Sequence, residues 1–334
     1  MAALETGKHA IRPRRLGHVN LYVGNIEAAM QFYVNVCGIE EVFRERKIKA
    51  GFVSNGRGHH DLGMVELAPR KLIGRDGEVL GDREVPSKPG LNHLAFEIDT
   101  EAELVDFYHK IKNAPDAKID MVLDHGLAKS VYVIDPGGSE LEFYADSIHD
   151  WRSFWNEALA KNAIVTGLWE PGASPASKTN YYDENPEIRA VNDAPLHPVS
   201  VLHATMVTPN YEATRQFYLK TGGFEELPLG RTDLTAFRGH RQNLHDVVLV
   251  AAEPGEERHL HHVTFRMAKV QDLEAGETRV QKSGLKIERR LDTDRKKSLF
   301  VRDPDGLLLE FAFYKSTAIP DLAKLSKQEA AYLL

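Results

Sequence analysis

Hydrophobic and polar residues alternate in short runs along this chain, and the runs recur in a fixed order. In GHVNLYV, residues 17–23, His18, Asn20 and Tyr22 fall on one face of a strand while Val19, Leu21 and Val23 fall on the other. The following NIEAAMQFYVNV spaces Ile26, Met30 and Tyr33 as one helical stripe, which is core packing and carries no cofactor. DPGG at Asp135 and DPDG at Asp303 are tight turns ahead of a closing strand, ELEFY or LLEFAF. Strand, amphipathic helix, then further strands is the repeating unit.

That unit belongs to a longer repeat. LGHVNLYVGNIEAAMQFYVNVCGIEEV, from Leu16, overlays VLHATMVTPNYEATRQFYLKTGGFEEL, from Val201. The same offset carries Phe52 onto Phe237 and His60-Asp61 onto His245-Asp246. After a small change of offset, LNHLAFEI overlays HHVTFRM and KSVYVIDPGGSELEFY overlays KSLFVRDPDGLLLEFAF. The chain is an internal duplication of an α+β domain, with four βαβββ modules, two per copy. The expected division is a short polar leader (1–15), a first domain (16–146), a helix plus linker (147–198), a second domain (199–315) and a C-terminal helix (316–334). HDWRSFWNEALAKN opens the connection as a helix with Trp151, Phe154 and Trp155 facing inward. The Pro-, Ser- and Asn-rich remainder reads as a tether, with an arm or lid over a pocket as the other reading.

The length of 334 residues suits two domains of ordinary size. No apolar run approaches the ~20 residues that span a bilayer, and residues 1–15 lack an apolar signal core, so neither membrane nor secretion is expected. The single cysteine, Cys37, cannot form an internal disulfide and reads as a buried apolar thiol, in keeping with a cytoplasmic location. A net charge of −7 without a long basic run leaves no footprint for nucleic acid. The fifteen histidines are the more informative feature.

Three residues of the first copy sit where a mononuclear non-haem metal site needs them: His18 on the first strand, His93 on the strand opening the second module, and Glu142 on the last strand. Two imidazoles and a carboxylate on one face of a metal leave positions open for substrate and oxygen, an arrangement suited to Fe(II). A lone strand histidine is more often a satisfied core residue; the joint pattern carries the reading.

With these residues the first copy resembles extradiol, catechol 2,3-dioxygenase-like enzymes of the vicinal oxygen chelate superfamily, in their two-domain form. His59-His60 resembles that family's paired histidines, of which the second is the acid-base catalyst. Tyr132, four residues before the turn proline, and Glu142, six after it, keep the family spacing. His125 in LDHG matches a histidine that contacts substrate oxygen, at a shorter interval to the tyrosine than in some members. The resemblance implies tandem glyoxalase/bleomycin-resistance/extradiol-dioxygenase domains, each a curled sheet around a metal cavity. It also implies Fe(II), with Mn(II) as the other metal the ligands accept, a catechol-type substrate with O2, and a homo-oligomer. His60 would accept a catechol proton and Tyr132 would hydrogen-bond a substrate oxygen.

The second copy keeps His203, His262 and Glu310 at the ligand positions and His245 at the acid-base position. Phe300 replaces the tyrosine and Thr293 falls opposite His125, which favours the first copy as the active one, against the family habit. His259 and His261 read as surface or packing residues. Two rival functions stand beside this one. A glyoxalase-like lyase or isomerase would take Glu66 as a fourth ligand and prefer Zn²⁺ or Ni²⁺. A small-molecule-binding protein of the same fold would need no metal chemistry at all.

Overall fold

The computed structural model describes residues 11–68, 70–83 and 86–334. The first copy runs β1 (Arg15–Val23), α1 (Ile26–Asn35), β2 (Glu40–Glu45), β3 (Ala50–Ser54) and β4 (Leu62–Glu66), then a hairpin of β5 (Arg70–Ile73) and β6 (Val79–Arg83). It continues through β7 (Gly90–Glu97), α2 (Glu101–Ile111), β8 (Lys118–Asp124), β9 (Ala128–Ile134) and β10 (Glu140–Asp146). The connection holds α3 (Trp151–Lys161) and the short β11 (Gly167–Leu168). The second copy comprises β12 (Pro198–Thr208), α4 (Tyr211–Lys220), β13 (Glu225–Glu226), β14 (Leu234–Arg238) and β15 (Val247–Ala251). It ends with β16 (His259–Met267), α5 (Val270–Ser283), β17 (Ile287–Asp292), β18 (Lys296–Arg302) and β19 (Leu308–Tyr314), followed by α6 (Lys327–Leu333).

Among the described residues, the two modules of each copy merge into one sheet. The first has nine strands in the order β11-β8-β9-β10-β7-β1-β4-β3-β2, the second eight in the order β13-β14-β15-β12-β16-β19-β18-β17. The opening strands of paired modules, β1 and β7, run antiparallel at the middle, and β10 lies parallel to β7. Period-two geometry then sorts the residues: Val19, Leu21, Leu94 and Leu141 face the helices and are fully buried. His18, Asn20, Tyr22, His93 and Glu142 face a cavity on the other side. Helix α1 starts where Asn25 Oδ1 accepts from Ala28 N, and it buries Ile26, Met30 and Tyr33 as the stripe predicts.

The two copies share one continuous core, in which the Phe96 and Phe224 rings meet at 4.7 Å. They also brace each other reciprocally. Asp61 Oδ1 accepts from Val201 N at 3.0 Å, and Asp246 Oδ1 accepts from Leu16 N at 2.6 Å. Tyr33 donates to Asp303 in the second copy's DPDG turn, and Asn210 donates to the Pro136 carbonyl in the first copy's DPGG turn. Both aspartates follow the duplicated histidine, so the repeat that makes the site also makes the joint.

In the described end of the leader, Ile11 and Arg14 are buried, with Arg14 N bonded to the Glu97 carbonyl and its guanidinium on Asp99. Residues 1–10 of that leader lie outside the described residues. The C-terminal helix is confined to Lys327–Leu333, because Ser326 caps it in a reciprocal box with Glu329 and Pro320 cannot donate to a longer one. Cys37 is buried, and no helix of the described residues is long and apolar enough to cross a membrane.

Replacing Asp246 with alanine strands the buried amides of Leu16 and Gly239. Urea denaturation of Asp246→Ala is expected to show a loss of about 1–3 kcal/mol relative to wild type.

Candidate functional site

Strand register assembles the first copy's site. His18 on β1 stands opposite Ala95 on β7, which stands opposite Glu142 on β10. The small Ala95 leaves room for the flanking side chains to meet above it. His18 Nε2 and His93 Nε2 both lie 3.0 Å from Glu142 Oε2, and Ser130 donates to Glu142 Oε1 at 2.5 Å. Asn92 fixes one ring: His93 Nδ1–H donates to Asn92 Oδ1 at 2.8 Å, turning Nε2 toward the carboxylate. All three residues are nearly inaccessible to solvent.

The other sequence candidates gather around this triad. The His60 ring lies 3.8 Å from that of His18, and neither of its nitrogens has a hydrogen-bond partner. Tyr132, paired with Glu142 across β9 and β10, has its hydroxyl 3.0 Å from His125 Nε2, and His125 Nδ1 meets Thr166 Oγ1 at 3.0 Å. His59 instead turns to Asp146, 3.1 Å away. Burial drives the His18 pKa down to about 4 although Glu142 pulls it up, and burial holds His60 well below the ordinary imidazole range. Burial raises the Glu142 pKa, but the neighbouring His18 and His93 outweigh it and keep the carboxyl well below its usual value. The site is therefore a carboxylate ringed by imidazoles, of which His18 and His60 are held by burial against taking up a proton.

Glu66 is elsewhere. Its neighbour Val65 lines the cavity, so strand alternation sends Glu66 to the opposite face, where it caps the Ile26 amide and pairs with Lys49. The second copy brings together His203, His262 and Glu310, with His245 beside His203 at 4.2 Å between rings. It also contains a residue that the sequence reading passed over. Lys296 is fully buried with its Nζ 2.7 Å from Glu310 Oε1. The signal was available: the overlay of KSVYV on KSLFV sets Lys296 opposite Ala128, and alternation puts it on the same face as Ser298 and Phe300. His259 is exposed, while His261 packs on Tyr332 at 4.8 Å between rings.

Above the first triad opens a cavity of about 350 Å³, walled by Phe43, Ile48, Phe52, Leu72, Met121 and Trp155 among others. Much of this wall comes from outside the modules. The β5–β6 hairpin supplies Leu72, Ile73 and Leu80, and the connection supplies Trp155, Ile164, Val165 and Thr166. The connection is thus part of the site as well as a link. Trp155 stacks on Phe43 at 4.2 Å and donates to the His59 carbonyl. Trp151 and Phe154 are only half-buried.

A family model described as Glyoxalase/Bleomycin resistance protein/Dioxygenase superfamily matches residues 15–143 and 200–311. The chain belongs to this superfamily. Among curated proteins of the superfamily's dioxygenase branch, it is 29% identical over 135 residues to biphenyl-2,3-diol 1,2-dioxygenase 3 of Rhodococcus globerulus, covering 40% of this chain and 64% of that protein. It is 26% identical over 152 residues to catechol-2,3-dioxygenase of Bacillus subtilis, covering 45% of this chain and 47% of that one. The chain thus spans less than two thirds of the length of these relatives. Among solved structures, the 2,3-dioxygenase LapB from Pseudomonas sp. KL28 shares the fold with a TM-score of 0.64 at 17% identity, over 95% of this chain and 98% of that one. A Mn(II)-bound glyoxalase from Novosphingobium aromaticivorans shares it with a TM-score of 0.61 at 14% identity, over 92% and 86%. The glyoxalase fold is therefore present twice.

Trp155 closes the cavity from the connection, so Trp155→Ala is expected to cost about 3–5 kcal/mol in denaturant unfolding. The milder Trp155→Phe, which loses the bond to the His59 carbonyl, is expected to cost about 1 kcal/mol.

Proposed function

We propose that this chain is an extradiol dioxygenase that uses Fe(II) and O2 to open a catechol-type ring beside its vicinal hydroxyls, with the reaction in the first copy. The observation that carries the reading is the convergence of His18, His93 and Glu142 beneath a cavity that also presents His60, Tyr132 and His125. The donor set fits a divalent cation: His93 Nε2 is buried without a hydrogen-bond partner, its lone pair directed at an ionised carboxylate. His18, His93 and Glu142 would hold the metal, and iron there would supply electron transfer between catechol and oxygen. Mn(II) accepts the same donors. Glu66, the fourth ligand of a glyoxalase-like site, does not line the cavity, because it lies on the other face of β4.

The protein's own residues then divide the remaining work. His60, kept neutral by burial, is a base placed to take a catechol proton and return it later. With Thr166 donating to His125 Nδ1, His125 Nε2–H donates to the Tyr132 oxygen, and the phenol is the group that would hydrogen-bond a substrate oxygen. The mostly apolar walls exclude water and favour a ring carrying an apolar substituent, with Glu45, Lys47 and Lys71 as the charged exceptions among the lining residues outside the triad.

Anaerobic loading with Fe(II), followed by a spectrophotometric screen of substituted catechols, is expected to give a yellow ring-opened product. His93→Ala should abolish it and His262→Ala should retain it; loss only in His262→Ala would move the reaction to the second copy, and no product from any catechol despite bound iron would refute the reading. Two further variants test the roles. Tyr132→Phe is expected to lower kcat by about 100- to 1000-fold, and His60→Gln by about 100- to 10,000-fold, each with metal content unchanged. Loss of metal in either would make that residue a ligand or a support of the ligands.

A further inference from the structure

The second copy repeats the ligand types of the first, yet two substitutions change what those ligands touch. Where Ala95 separates His18 from Glu142 across the strands, Thr264 separates His203 from Glu310. Its hydroxyl donates to Glu310 Oε2 at 2.7 Å and accepts from His203 Nε2 at 2.9 Å. Where the first copy has Ala128, Lys296 brings its Nζ to Glu310 Oε1. Both Glu310 oxygens and His203 Nε2 are thereby engaged from within the chain, and the Lys296 Nζ occupies the neighbourhood a second cation would need.

The space in front of these residues is filled as well. Tyr332 of α6 stacks over the His262 ring at 6.0 Å and meets the Phe300 ring at 5.2 Å. In the first copy the equivalent residues, His93 and Tyr132, look onto open cavity. Likewise Tyr22 and Val65 line that cavity, whereas their counterparts Val207 and Val250 are buried in a cluster with Ala330, Ala331 and Leu334 from the C-terminal segment.

We infer that the second copy is a permanently self-filled site that holds neither metal nor substrate. The Lys296 ammonium stands on Glu310 in the metal's place, and the C-terminal helix stands in the substrate's. The duplication is kept for the shared core and the reciprocal aspartate braces, and the chain carries a single metal ion.

The test is a metal count on the full chain, loaded anaerobically with excess Fe(II), desalted and analysed for iron by elemental analysis. One iron per chain is expected in wild type and in His262→Ala alike. A Thr264→Ala/Lys296→Ala double variant, which restores the alanines of the first copy, is expected to take up a second. That variant carries a risk of misfolding, so the first two counts decide: two irons in wild type, one of them lost in His262→Ala, would overturn the inference.

Discussion

A buried carboxylate must be compensated where it stands, and the way this chain compensates Glu142 and Glu310 organises the rest of the structure. An ionised carboxylate removed from water is costly unless hydrogen-bonded or paired. Glu142 receives a short bond from Ser130 on one oxygen and faces two imidazole nitrogens with the other. Of those two rings, His18 has its pKa pushed by burial down to about 4, which makes it a poor source of compensating charge. Glu310 receives a hydroxyl and an ammonium from its own strands. One sheet design thus yields an open site and a closed one by exchanging two alanines for a threonine and a lysine.

The same duplication explains why the open site can be so polar without loosening the fold. Each copy's sheet is buried on its helix face in a single core, and the aspartate after each copy's conserved-offset histidine anchors the first strand of the other copy. His18 lies two residues beyond the amide that Asp246 holds, and His60 directly precedes Asp61. The first strand and the histidine loop are therefore fixed by the opposite copy. The second copy thus braces the strand and loop that carry His18 and His60.

Much of this was legible in the sequence. Alternation in GHVNLYV put His18, Asn20 and Tyr22 on the cavity face, and the overlay of the two copies placed all six candidate ligands on equivalent strands. The cavity wall was far less legible. Residues such as Leu72 and Val165 reach the site only because a hairpin and a long connection fold back over the sheet, and neither has a periodic pattern to read. Lys296 was hidden for a different reason. In TDRKKSLF it sits in a run of charges of the kind usually solvated, which masks the alternation that turns it inward. The sequence also suggested a longer final helix, from 316, whereas Ser326 caps its start and confines it to Lys327–Leu333.

The most direct measurement is the anomalous diffraction of iron in crystals of the chain grown or soaked anaerobically with Fe(II). The account predicts one peak per chain, between His18 Nε2, His93 Nε2 and the Glu142 carboxylate. An ordered iron anywhere else, or an iron-saturated crystal with no peak at that triad, would contradict it.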